Sequence, residues 1–318
     1  MGIDNLAAFL RRAPSAMFPI CLGVLGAGLL WRKAAETLGA PTVIGEVWLA
    51  LAIVLSSVCA ALYARKLALH PTAILDDLGP VPARAAVSAA SMCMMLTAAA
   101  LVPYTTELAA LLLLVGVSHH LIHAVMVLWV LAHSPPEERV INPTLYLPFV
   151  GQIVAPIAGV PLGFWTASAV IYWSAVAAWA VITAFSLQRI LSAPIPKSLR
   201  QGMVIFLAPC GVGVISADLL NATWSPTMMH IFGVAETGFA IWLATRIGWL
   251  IAGGWTPAWG AFTFPTVSLA GAAMIFFDRV AGGALSVLSW PFILGCSAIV
   301  LFVLVRAIKA AVAGQHFF

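Results

Sequence analysis

Ten apolar runs, each about 20 residues long, follow one another along the chain, parted by short breaks rich in charge, proline or asparagine. Their expected extents are 14–33, 43–66, 84–103, 107–132, 144–163, 165–190, 199–219, 227–250, 257–278 and 284–310. Such a run is what one α-helix needs to cross the hydrocarbon of a bilayer. The two longest connections, "HPTAILDDLGPVPAR" and "HSPPEERVINP", are turn-like in composition and leave no room for a soluble domain. The pattern predicts an all-α polytopic membrane protein, with residues 1–318 as a single transmembrane domain.

The positions of proline refine this picture. The first run carries "FPICLG" (Phe18, Pro19, Gly23), the fifth "LPFVGQ" (Pro148, Phe149, Gly151), the seventh "FLAPCGVG" (Phe206, Pro209, Gly213) and the ninth "FTFPTVSLAG" (Phe264, Pro265). The even-numbered runs have no matching combination, and among the odd ones only the third, "VSAASMCMMLTAA", lacks an internal proline. A proline removes a backbone donor, so within a bilayer the freed carbonyl needs a protein or water partner. The recurrence suggests five tandem hairpins, each pairing a broken helix with a plain apolar one, arranged so that the odd-numbered helices form an inner ring around a central pore. Where a helix starts anew, free N–H groups and the positive end of its dipole attract anions weakly. Packing alone is the alternative use of a kink.

Composition removes other function classes. The chain is 63% hydrophobic and 8% charged, against roughly a quarter charged in soluble proteins. Its net charge of +4 is scattered through inter-helix segments, which excludes a nucleic-acid-binding patch and leaves the lipid bilayer as the surrounding partner. With the N-terminus inside, the inner side collects Arg11, Arg12, Arg65, Lys66, Arg84, Arg139, Arg189, Lys197, Arg200, Arg246, Arg306 and Lys309, while the outer side keeps Arg32, Lys33 and Arg279. Both termini are thereby expected in the cytoplasm, with the first run read as a retained span rather than a cleaved leader. The five cysteines, Cys21, Cys59, Cys93, Cys210 and Cys296, all fall in apolar runs without CxxC spacing and read as small hydrophobes.

Few side chains offer chemistry. "GVSHHLIHAVM" sets His119 and His123 at i, i+4 beside His120, which suits either a metal-binding sensor or enzyme, or polar glue between helices. Further histidine boxes are absent, and neither a resident metal nor a cofactor is expected. Glu236 is the acidic residue nearest the middle of a run, a candidate for proton coupling or a buried packing contact. Asp76, Asp77, Glu137 and Glu138 read as solvated loop charges, and Asp218 as a carboxylate that is paired or turned away from an anion entrance.

Taken in order, "FPICLG", "HPTAILDDLGPVPAR", "LYLPFVGQIVAP", "LAPCGVG" and "WGAFTFP" resemble the tellurite-resistance and C4-dicarboxylate transporter family over nearly the whole chain. That family includes bacterial tellurite-resistance protein A, fungal malate and sulfite transporters and the slow-type anion channels of plant guard cells. The resemblance implies a bacterial inner-membrane homotrimer that is not an enzyme, each subunit carrying its own pore for small inorganic or organic anions. It also implies an aromatic plug from the ninth helix. Phe264 matches that position, with Phe262 as competitor about 200° away around the helix. The third helix departs from the proline pattern, and Ser91, Met92 and Met95 are its nearest lining candidates. A proton-coupled exporter of dicarboxylate, sulfite or tellurite, with Glu236 titrating, is the alternative within transport.

Overall fold

The computed structural model of the chain describes residues 13, 15–135, 141–279 and 283–313; Arg11, Arg12, Glu137, Glu138 and Arg139 lie outside them. Among the described residues helix is the sole regular structure. Nine helices among the described residues are long and apolar enough to cross a membrane: Met17–Leu38, Thr42–Leu69, Ala83–Leu101, Thr106–His133, Trp165–Ser192, Leu199–Leu220, Ser225–Ala244, Pro257–Arg279 and Ser286–Val312. They correspond to nine of the ten expected runs, and the chain is a multi-pass membrane protein.

The fifth run, expected as one of the broken helices, is divided into short pieces. Residues 143–159 form a 3-10 turn Pro143–Leu145, a helix Tyr146–Val150, a second 3-10 stretch Gly151–Val154 and a helical turn Pro156–Gly159. Pro143, Pro148 and Pro156 each lack the N–H that a continuous helix would use, so no α-ladder persists through this segment. The eighth run is also shorter than expected, ending at Ala244, with a separate helical turn Ile247–Ile251 after Arg246.

Burial alternates along the chain. In the first, third, seventh and ninth crossings 78%, 78%, 78% and 61% of the most apolar window is buried inside the protein, against 22–33% in the second, fourth, sixth, eighth and tenth. Contacts follow the same parity. The first crossing touches the third, the third the fifth segment, the fifth the seventh, the seventh the ninth, and the ninth returns to the first. Each of these inner elements also packs on the helix that follows it in sequence. Glycines permit the close approaches. A Cβ on Gly23 would stand 2.3 Å from the Thr263 Cβ, and one on Gly211 would stand 2.5 Å from the Ser268 carbonyl.

The prolines occupy a common position that differs from the expected mid-helix kink. Pro19, Pro148, Pro209 and Pro265 are each the third residue of an α-helix, in helices that begin at Met17, Tyr146, Leu207 and Thr263. First-turn N–H groups have no acceptor within their own helix, so a proline there costs no ladder bond. In the seventh and ninth crossings the α-helix follows a 3-10 lead-in, Lys197–Phe206 and Pro257–Phe262. The break is a junction between two helix types inside the crossing. In the first, by contrast, Pro19 simply marks the helix start.

Charges are paired at the two ends. Arg32 holds Glu46 through two nitrogens at 2.9 and 3.0 Å and donates to the Ala100 carbonyl at 3.0 Å, tying three helices together. Tyr104 donates to the same carboxylate at 2.6 Å, which raises the phenol above its ordinary pKa. At the opposite end Asp77 accepts from Lys66 and Tyr63, whereas its neighbour Asp76 is exposed. Asp218 is paired with Arg279.

Candidate functional site

The buried carbonyls at the junctions find side-chain donors, and these donors set the walls of the site. The Thr263 hydroxyl lies 3.0 Å from the Pro19 carbonyl and 2.8 Å from that of Gly260, bridging the first and ninth crossings at the start of both helices. Thr266 reaches the Phe262 carbonyl at 2.7 Å, and Ser216 of the seventh crossing reaches the Ile153 carbonyl in the broken fifth segment at 2.7 Å. Irregular backbone at membrane depth is tolerated where protein supplies such partners. Sequence reasoning missed these three hydroxyls. The available signal was a Ser or Thr within two residues of a proline in the ninth run, or facing the break from a neighbouring run.

Between these walls lies a cavity of about 760 Å³. Ala16, Pro19 and Leu22 line it from the first crossing, Met92 from the third, and Leu147, Val150, Gly151, Ile153 and Val154 from the fifth segment. Ala208, Pro209 and Val212 line it from the seventh crossing, and Gly260, Ala261, Phe264 and Pro265 from the ninth. The cavity extends to Val81, Asn142, Ala193 and Pro257, so it lies where the odd-numbered elements begin. The first turns of three helices therefore face one space, bringing the positive ends of their dipoles toward it. Among the described residues its charged lining side chains are Arg84 and Arg189. Arg84 is buried and donates to the Leu78 and Gly79 carbonyls, whereas Arg189 is exposed.

The residue just before the repeated proline lines the cavity in three of four cases: Leu147, Ala208 and Phe264. Phe264 is the largest of the three. Its ring also reaches the first crossing, where a Cβ on Gly26 would meet ring carbons at 3.0 and 3.2 Å. Gly26 lies one turn beyond Leu22, so the ring lies between the cavity wall and the first crossing. Phe262 points elsewhere, stacked on Trp259 with centroids 4.9 Å apart.

The remaining expected lining residues divide. Pro19, Met92, Gly151, Pro209 and Pro265 line the cavity. Phe18 is buried edge-on to Tyr63, and Gly23 packs against Thr263. Ser91 bonds His120, and Met95 fits against Gly116. Pro148 is buried and Phe149 half-buried, neither at the cavity wall. Phe206 stacks on Phe239 of the eighth crossing, and Gly213 accommodates the Phe232 ring.

The polar candidates on the outer helices point inward. Glu236 is buried, with Oε1 lacking a hydrogen-bond partner, in a notch that Gly211 opens beside the Ser268 backbone. His120 Nδ1 lies 2.8 Å from the Ser91 hydroxyl, and His123 Nε2 lies 3.3 Å from the Arg84 carbonyl. His119 is half-buried, and among the described residues no three His, Cys, Asp or Glu side chains are grouped to hold a metal.

Known proteins share this sequence pattern. The chain is 23% identical over 321 residues to the S-type anion channel SLAH2 of Arabidopsis thaliana, across 90% of this chain and 57% of the plant protein. It thus spans little more than half the length of that relative. Residues 12–308 match the SLAC1 family, described as voltage-dependent anion channel, in agreement with the resemblance carried by the proline motifs. The chain belongs to the SLAC1 family of anion channels.

Proposed function

We propose that the protein is a passive anion channel or facilitative transporter, with Phe264 as a hydrophobic plug in a pore running through each subunit. The observation that carries this reading is the convergence of three helix first turns, at Pro19, Pro209 and Pro265, on one cavity that the Phe264 ring lines. A wall of dipole ends and small apolar residues attracts an anion without trapping it, and conduction needs both properties. The likeness to an S-type anion channel supports the same substrate class. In proteoliposomes, Phe264→Ala is expected to raise anion flux by about tenfold or more, equivalent to removing about 1.4 kcal/mol of barrier, with Phe262→Ala close to the parent. Flux that rises in Phe262→Ala and not in Phe264→Ala would assign the plug to the wrong ring.

A second reading is favoured by one observation, the unpartnered carboxyl oxygen of Glu236 beside the ninth crossing. Here the protein is a proton-coupled carrier of an oxyanion or dicarboxylate, and Glu236 carries the proton. An imposed pH gradient then drives accumulation in the parent and not in Glu236→Gln. Equal accumulation in both excludes coupling through this residue. The homotrimer, the bacterial inner membrane and two cytoplasmic termini belong to the same proposal. Native mass spectrometry and reporter fusions at either end test them.

A further inference from the structure

A cluster of sulfur atoms lies on the face of the first crossing turned away from the cavity. Cys21 Sγ is 3.6 Å from Cys59 Sγ on the second crossing, and Cys59 Sγ is 3.9 Å from Met17 Sδ. Met17 and Cys21 are four residues apart on one helix and so share a face, completing a group of three sulfurs from two helices. All three residues are buried, and Cys93 stands nearby with its thiol directed at the Phe18 carbonyl. Apolar packing needs small side chains here but has no need to gather their sulfur atoms.

Metal–sulfur bonds of about 2.3 Å hold sulfurs about 3.8–4.0 Å apart in tetrahedral or trigonal geometry, close to the two separations found. Thiol and thioether ligands select soft ions such as Cu(I). Charge narrows the choice further. In an apolar setting the bound site is cheapest when neutral, and a monovalent ion reaches neutrality by displacing one thiol proton: R–SH + M⁺ → R–S–M + H⁺. The proton of Cys59, directed at Met17 Sδ, lies where the ion would sit.

We propose that Met17, Cys21 and Cys59 form a binding site for a soft monovalent metal ion of the Cu(I) or Ag(I) class. Met17 is the first residue of its helix, so the site lies at the start of the first crossing. An occupied site would fasten the first crossing, which carries Pro19, to the second.

The test is anaerobic titration of the purified full-length protein in detergent with Cu(I), in competition with a chromophoric Cu(I) chelator. About one ion per chain is expected, with Cu–S bonds of about 2.3 Å by X-ray absorption. Cys21→Ala, Cys59→Ala and Met17→Leu should each weaken binding by about tenfold or more, the range found when even outer partners of a ligand are lost. Cys210→Ala and Cys296→Ala should bind as the parent does. Met17→Leu conserves volume, so it reports on the site even if a cysteine variant fails to fold. Sub-stoichiometric binding by the parent, unchanged affinity in Met17→Leu, or equal loss in Cys210→Ala would each overturn the site.

Discussion

The fifth segment and the sixth helix are neighbours in sequence and comparably apolar, yet one is divided into four pieces while the other runs unbroken from Trp165 to Ser192. The difference lies in what surrounds them. Tyr146, Val150, Ile153 and Val154 are enclosed by protein, whereas Val170, Trp173, Val181 and Phe185 of the sixth helix are exposed on the outside. A lipid-facing backbone must satisfy itself, so it stays helical. An enclosed backbone can borrow partners, as Ile153 does from Ser216, and can therefore bend to shape a wall. The same contrast runs through the whole chain, inner elements against outer ones.

The largest effect that would break this contrast is functional. Phe264→Ala, on an inner element, should raise flux by about tenfold or more, while Phe185→Ala, on an outer face, should leave it within about twofold. Equal changes in both would mean that the permeation path does not follow the inner elements. Next comes close packing. Gly23→Ala places a Cβ against Thr263 and should destabilise the protein by about 1–3 kcal/mol, read as a lower unfolding temperature in detergent. Gly238→Ala meets nothing within 4 Å and should be neutral, or stabilising by up to about 1 kcal/mol through helix propensity.

Loss of a borrowed partner is a further test at similar or smaller scale. Ser216→Ala leaves the Ile153 carbonyl without its donor and should cost about 1–3 kcal/mol, whereas Ser174→Ala, on the exposed side of the sixth helix, should cost less than about 0.5 kcal/mol. The smallest effects concern ion pairs. Lys33→Gln removes an exposed pair with Glu36 and should change stability by about 0–1 kcal/mol. Arg32→Gln breaks a partly buried fork that also holds the Ala100 carbonyl, and should exceed it.

Much of the fold could be read from hydropathy, because lipid imposes a length on every crossing and that length is visible residue by residue. The parity of Pro19, Pro148, Pro209 and Pro265 likewise marked the inner elements, since a missing N–H limits where a helix can lie in a bilayer. The register of those prolines was not visible. A sequence gives no sign of where a 3-10 lead-in hands over to an α-helix, so third-residue positions looked like mid-helix kinks. The direction each residue faces was also hidden at Phe18, Phe206 and Gly213, which belong to proline motifs yet face an outer helix. At such sites a small rotation of the helix exchanges wall for packing. The sulfur group was concealed for another reason, because its members come from runs far apart in the chain.

Phe262 and Thr263 give the aromatic ring that follows them a particular kind of freedom. Phe262 is stacked on Trp259, which in turn faces Phe302, and Thr263 is tied to the Pro19 carbonyl. The main chain that carries Phe264 is thus held by the two residues before it, and the vacant volume that could receive its ring lies on the cavity side. Under the proposed plug role, opening becomes a question of rotamer populations at one side chain, with no need for a helix to shift. Ring-sized side chains would then differ in the fraction of time spent aside, and conductance would be graded by the torsional landscape of a single residue.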